Sequence, residues 1–174
     1  MKQKDTLYIG ELKGTPIGDL WLAISDKGLA AIEWGKTRSE FDAYLAKRFK
    51  CGVEYRPKVT AEAAGELRQF LEGKRHFFTL LINWTLLRPF QRAVLQATYA
   101  IPYGETRTYK ELAEQVGHPH AARAVGRAEA TNPMPLVIPC HRVIGTDGRL
   151  HGYGLGEGLK TKEWLLKMEG ALIA

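Results

Sequence analysis

Thr108-Tyr109-Lys110-Glu111-Leu112-Ala113-Glu114-Gln115-Val116-Gly117-His118-Pro119-His120-Ala121-Ala122-Arg123-Ala124-Val125-Gly126-Arg127-Ala128 decides how the C-terminal part of this chain folds. It opens with T-x-x-E, the form of a capping box. Thr108 caps the Glu111 N–H and Glu111 reaches back. Leu112, Ala113 and Val116 continue a helix, Gly117 stops it, and His118-Pro119-His120 makes a turn. A second helix starts near Ala121. Helix, short turn with glycine, helix is the helix-turn-helix pattern, though a plain helical hairpin reads the same way. The second helix is rich in alanine, with Gly126 in its middle. A major-groove reader shows polar side chains to base edges, and this helix offers few. Small side chains let a backbone approach closely, which suits the minor groove. Arg123 and Arg127 are its long cations, placed to fill a gap in a base stack, to meet phosphate, or simply to face solvent.

Upstream, Phe90, Ala93, Val94, Ala97 and Ile101 give another helix its apolar side. Pro89 suits its first turn and Pro102-Tyr103-Gly104 breaks it. Before Leu87 the character changes. Leu7-Tyr8-Ile9, Leu20 to Ile24 and Leu29 to Trp34 are apolar runs. Gly14-Thr15-Pro16 and Ser25-Asp26-Lys27-Gly28 separate them, which predicts an antiparallel meander. Phe41, Leu45, Arg48 and Phe49 have helical spacing, with Ser39 as N-cap. A further helix is expected over 61–72 and a short strand over 77–83. The boundary falls at about residue 87: an α/β part over 1–87 with a small antiparallel sheet, then a mainly α part over 88–174.

The 174 residues are 45% hydrophobic and 25% charged, ordinary for a globular chain. Net charge is +6, and each part carries +3, with 14 basic against 11 acidic residues before position 88 and 11 against 8 after it. Contact with nucleic acid is permitted, but any basic face must be made by folding. Two cysteines, Cys51 and Cys140, make no disulfide framework and fit a reducing compartment. No signal-like segment follows Met1, and no run approaches the about 18 apolar residues of a membrane helix. The expectation is a soluble, cytoplasmic protein, nucleoid-associated if its source is prokaryotic.

Chemistry concentrates in Ile138-Pro139-Cys140-His141-Arg142-Val143. Thiolate is the nucleophilic form of cysteine, so a base must take the thiol proton. His141 is adjacent, and acts directly or through a water. Glu157, Glu163 and Glu169 are the carboxylates available to orient it. Asn132-Pro133 and Pro135 stiffen the approach, with the Asn132 amide bracing the turn. Taken alone, Cys140 also reads as a buried structural thiol and His141 as a core histidine. Gly152 to Thr161 is not a Walker A loop, because Leu159 separates Gly158 from Lys160.

Taken together, the segment closely resembles the O6-alkylguanine-DNA alkyltransferases, or methylated-DNA–protein-cysteine methyltransferases. Their P-C-H-R-V signature stands here as Pro139 to Val143. In family order also stand Phe90-Gln91, Ile101 to Glu105, Thr108-Tyr109, Ala121 to Gly126, Asn132-Pro133, Lys162 to Leu166 and Glu169-Gly170. The resemblance covers about residues 87–170. It implies a ribonuclease-H-like N-terminal domain and a winged-helix-like helix-turn-helix in the C-terminal one. It implies irreversible, single-turnover transfer of the alkyl group from O6-alkylguanine to Cys140, with the base flipped out through the minor groove. His141 would take the thiol proton through a water, Glu169 would orient it, and Asn132 would support the turn. Tyr109 would donate to the leaving base, and Arg123 would replace the extruded nucleotide. Thr108, Ala122, Gly126, Pro135, Val143 and Tyr153 would contact DNA or substrate.

No cofactor and no metal are implied, and Cys51 with His76 would be too few for the zinc site that some members carry. The implied partner is double-stranded DNA containing O6-alkylguanine, met by a monomer. O4-alkylthymine and clustering on DNA stay open, and no membrane is involved. Non-catalytic relatives carry tryptophan where this chain has Cys140, which argues against a pure damage recogniser. A Cys–His hydrolase would need an oxyanion hole that no motif announces. Two departures from the family pattern stand out. Loop 152–159 is about two residues longer, which bears on the size of adduct accepted, and Leu95 replaces an expected tryptophan.

Overall fold

A computed structural model describes residues 5–171. The chain divides into two compact units, Met1–Leu86 and Leu87–Ala174. In the first, β1 (Thr6–Thr15), β2 (Gly18–Ser25) and β3 (Gly28–Trp34) form the expected antiparallel meander. Gly18 and Gly28 have φ of 102° and 121°, a left-handed region open to glycine. Next come α1 (Arg38–Phe49), β4 (Gly52–Tyr55) and α2 (Pro57–Leu71). The sheet order is β3-β2-β1-β4, and β4 runs parallel to β1. The sheet is therefore mixed, not purely antiparallel. The chain returns to it through a helix, and a helical crossover brings a strand back in the same direction.

Leu7, Ile9, Trp21, Ala23, Ala30 and Ala31 of the sheet pack with Phe41 and Leu45 of α1 in one buried cluster. Gly10 marks the approach of α2, since a Cβ there would collide with the Thr60 hydroxyl. Two local expectations change. The N-cap of α1 is Thr37, not Ser39: Thr37 Oγ1 accepts from Glu40 N, and Glu40 Oε2 accepts from Thr37 N at 2.7 Å, a full capping box. Residues 77–83 make no strand, and Ile82 bridges to Leu29 alone. Leu29 N donates to Leu81 O at 2.8 Å and Asn83 N to Leu29 O at 3.0 Å, while the Thr79 N–H turns to a side chain and donates to Glu66 at 2.9 Å.

The second unit is mainly helical. Its helices are α3 (Pro89–Tyr99), α4 (Tyr109–Gln115), α5 (Ala122–Ala130) and α6 (Leu159–Met168). Pro89 stands in the first turn of α3, and Thr108 with Glu111 forms the capping box of α4. Val94 and Ala97 of α3, Leu112 and Ala113 of α4, and Val125 and Ala128 of α5 close one core. Two short strands complete the winged-helix-like arrangement. In it β5 (Arg107–Thr108) pairs in parallel with β6 (Val143–Ile144), Arg107 opposite Val143. This pairing fixes the start of the helix-turn-helix against the segment that follows Cys140. Among the described residues, no helix is long and apolar enough to cross a membrane.

Replacing the cap of α1 tests its reassignment. Thr37→Ala is expected to lower stability by about 1 kcal/mol. Ser39→Ala is expected to stay within about 0.5 kcal/mol of the parent. Urea unfolding of the two variants checks the difference.

Candidate active site

The backbone ahead of Cys140 is folded on itself. Leu136 has φ of 74°, unusual for a branched residue, and Pro135 bridges to Ile138. Asn132 holds both sides of this turn. Its Oδ1 accepts from Met134 N at 2.9 Å, and its Nδ2 donates to Ile138 O at 3.0 Å. The chain then enters a 3-10 turn, Cys140–Arg142, with Cys140 N donating to Ile138 O at 2.8 Å. Cys140 is 8% exposed. Burial pushes its thiol up to about 12, and the nearby Glu129 carboxyl adds to the rise. The Asn132 amide and Lys162 oppose it. The resting sulfur is a neutral thiol.

Behind it sits a buried ionic cluster. His141 Nε2 lies 2.7 Å from Glu169 Oε1. Arg142 donates to the same carboxylate through Nε at 2.8 Å and Nη2 at 2.9 Å, and through Nη1 to Ile101 O at 2.6 Å. Gly104 N donates to Glu169 Oε2 at 3.2 Å. Burial alone would raise the Glu169 carboxyl, but the hydrogen bonds from His141 and Arg142 outweigh it and hold it down at about 2. Glu169 is thus ionised and accepts, which puts the His141 proton on Nε2 and leaves Nδ1 as the basic nitrogen. Burial lowers the pKa of the imidazole, while the Glu169 carboxylate works against that shift. The three carboxylates left open by the sequence separate here. Glu157 pairs with Lys160 and Glu163 with Lys167, both at the surface, while Glu169 meets the histidine.

Cys140 opens onto a cavity of about 740 Å³. Tyr109 of α4, Ala122, Arg123 and Gly126 of α5, and Tyr153 of the following loop also line it. Small residues at 122 and 126 share one helix face and leave room beside the thiol. The Tyr109 hydroxyl donates to His151 O at 3.1 Å, and burial pushes it up to about 12, so it is a proton carrier at neutral pH. Arg123 is exposed at the rim. Thr108, Pro135 and Val143, grouped with these by resemblance, lie outside the lining. Thr108 caps α4, Pro135 is buried in the turn, and Val143 is in the core with its carbonyl taken by Lys162.

Two further residues belong to the site and escaped the sequence. Lys162 is fully buried, donating to Val143 O at 2.6 Å and His151 O at 2.8 Å, and burial lowers it to about 8. It ties α6 to β6 and to the loop over the cavity. Glu129 is buried on the cavity wall, seven residues after Ala122 and three after Gly126, a spacing that places it on their face.

Fold and site define a class: a helix-turn-helix protein with a cysteine at the floor of a cavity beside its second helix. The family model described as the DNA-binding domain of 6-O-methylguanine DNA methyltransferase matches residues 89–171. A methylated-DNA–protein-cysteine methyltransferase of Methanosarcina barkeri is 44% identical over 161 residues, spanning 89% of this chain and 92% of that one. The protein of that name from Salmonella typhimurium is 41% identical over 164 residues, spanning 91% and 94%. The structure of Mycobacterium tuberculosis OGT in complex with DNA superposes with a TM-score of 0.76 at 36% identity, covering 94% of this chain and 92% of that one. The chain belongs to the methylated-DNA–protein-cysteine methyltransferase family.

The Glu169 cluster yields a pH prediction. A carboxyl held low in the fold contributes its stability in full above the ordinary carboxylate range, near 4.5, and loses it as pH falls through about 2. Glu169→Gln leaves Arg142 buried without its counter-charge and is expected to destabilise by about 3 kcal/mol at neutral pH. Stability of the variant is expected to fall less steeply below pH 4.5, measured by denaturant unfolding across pH.

Proposed function

We propose that this protein reverses O6-alkylation of guanine in duplex DNA by moving the alkyl carbon irreversibly to Cys140 Sγ, once per molecule. The observation that carries this reading is the cavity itself, with the thiol at its floor and the helix-turn-helix as its wall. A base inside a duplex cannot bring O6 to a recessed sulfur, so the nucleotide must rotate out of the stack, at a cost of a few kcal/mol. Weakened pairing of an alkylated guanine reduces that cost. Arg123, exposed on α5, takes the vacated place in the stack.

The neutral thiol is then activated where it stands. His141 Nδ1 takes the Sγ proton through a bridging water, and the Glu169 carboxylate, at 2.7 Å from Nε2, stabilises the imidazolium that forms. The thiolate attacks the alkyl carbon in line. An S–C bond forms, the C–O6 bond breaks, and its electron pair passes to the guanine. The Tyr109 hydroxyl lines the cavity and is neutral at working pH, and it supports that charge by donating a hydrogen bond to the departing base. Asn132 keeps the turn from yielding as the sulfur moves. The loop 152–154 borders the cavity and meets the alkyl substituent.

Intact-protein mass measurement after mixing with a duplex holding one O6-methylguanine is expected to show one added methyl per molecule, mapped to Cys140. An unchanged mass with tight lesion binding would instead indicate a recogniser without chemistry. Cys140→Ala is expected to bind DNA without any mass gain. Arg123→Ala is expected to slow transfer from duplex by about tenfold or more while leaving a free-nucleobase substrate less affected. Equal rates on duplex for parent and variant would remove Arg123 from the flipping step.

A further inference from the structure

The first unit holds a cavity of its own, of about 380 Å³. That size lies within the range of about 300–1,000 Å³ usual for binding pockets. Ile24 and Asp26, at the turn between β2 and β3, form one side, and Val59 and Glu62 of α2 form another. Leu80 and Leu81 close the third. The apolar wall is exposed but fixed. Leu81 is 77% exposed and Val59 43%. A lone exposed leucine is ordinary. Leu81, however, is held where it stands. Its carbonyl accepts from Leu29 N at 2.8 Å, and a Cβ on Gly28 would lie 2.6 Å from the same oxygen, so turn and segment pack backbone to backbone. Thr79 is tied to Glu66 on one side of it, and Ile82 and Asn83 are buried on the other. Covering a leucine on a backbone already pinned carries no cost for ordering a loop.

The rim is acidic. In the first unit Glu11, Glu33, Asp42, Glu54, Glu66 and Glu72 each sit in an ion pair with a lysine or arginine. Asp26 and Glu62 have neither an ion pair nor a side-chain hydrogen bond among the described residues, and both line this cavity. Lys27 and Lys58, the nearest cations along the chain, are exposed and line no part of it. The chain as a whole carries a net charge of +6, so two uncompensated carboxylates at one apolar groove run against its general character. They repel phosphate, which disfavours nucleic acid and anionic membranes as occupants, and they attract lysine and arginine. An extended peptide also supplies carbonyls for the N–H groups of Leu80 and Leu81, which have no acceptor among the described residues.

We infer that this groove docks a basic linear segment of a partner protein, in which an apolar side chain covers Leu81 and Val59 while flanking lysine or arginine side chains meet Asp26 and Glu62. All of these residues belong to the first unit, and the inference does not rest on the alkyl-transfer reading. The ion pairs are exposed, so binding weakens as salt rises.

The test selects ligands for the full chain from a random dodecapeptide phage library. The expected winners carry leucine, isoleucine or phenylalanine flanked by lysine or arginine. The most enriched peptide, made synthetically, is then titrated by calorimetry against the parent, the double variant Asp26→Asn with Glu62→Gln, and Leu81→Ser. Each change is at an exposed side chain, so the variants keep the fold. Affinity is expected to fall about fivefold or more in the double variant, the combined worth of two exposed ion pairs, and to fall in Leu81→Ser also. Amide shifts in the parent are expected to map to residues 24–29, 59–63 and 79–81. Winners without an excess of basic residues, equal affinity for parent and both variants, or shifts elsewhere in the chain would each overturn the inference. Self-association of the parent in sedimentation that the double variant abolishes would assign the groove to a second copy and overturn it as well.

Discussion

One buried carboxylate organises the second unit. Glu169 lies just past the end of α6 and accepts from Arg142, His141 and the Gly104 backbone, while Arg142 continues the network to Ile101 O. Those partners come from the 3-10 turn of Cys140 and the loop after α3, and the carboxylate itself from the end of α6. Each charge is expensive to bury by itself, and the arrangement holds because every one is met by an opposite charge or a dipole. Its chemical output is a defined tautomer. A negative group on Nε2 commits the histidine to act through Nδ1, so the orientation of the base is inherited from an ion pair needed for folding.

The thiol is positioned by a second, neutral set of constraints. Asn132 staples a turn whose Leu136 has left-handed backbone geometry, and such a backbone persists only where surrounding bonds over-determine it. Lys162 works from the other side, as a buried strut between the Val143 carbonyl and the His151 carbonyl. The β5–β6 pairing closes the frame by registering Thr108, the cap of α4, against Ile144. The start of the helix-turn-helix and the segment after the reactive turn are thereby joined through one strand pair.

What the sequence disclosed was mostly what short-range bonding decides. The Thr108–Glu111 box, Pro89 at the head of α3 and the Gly117 stop depend on neighbours within a turn, and all stand where the residues announced them. Ser39 lost the cap of α1 to Thr37 because Glu40 stands three residues after Thr37, a box that spacing alone contained. Long-range partners stayed hidden. Glu157, Glu163 and Glu169 look alike along the chain, and Glu169 was singled out by resemblance, being 28 residues from the ring it meets. The parallel seat of β4 depends on a helix crossover that no local pattern displays. Lys162 escaped because lysine is ordinarily solvated, and Glu129 because an acid among alanines reads as a surface residue.

The depth of Cys140 has a consequence for endurance. A protein that works once must remain unspent until a lesion arrives, among peroxides and electrophiles that attack thiolates. Such reagents need an exposed, ionised sulfur. Here the sulfur is recessed and burial holds its proton tightly. The same burial that makes activation depend on His141 therefore acts as a preservative, and the shelf life of the unused molecule is written into the floor of its pocket.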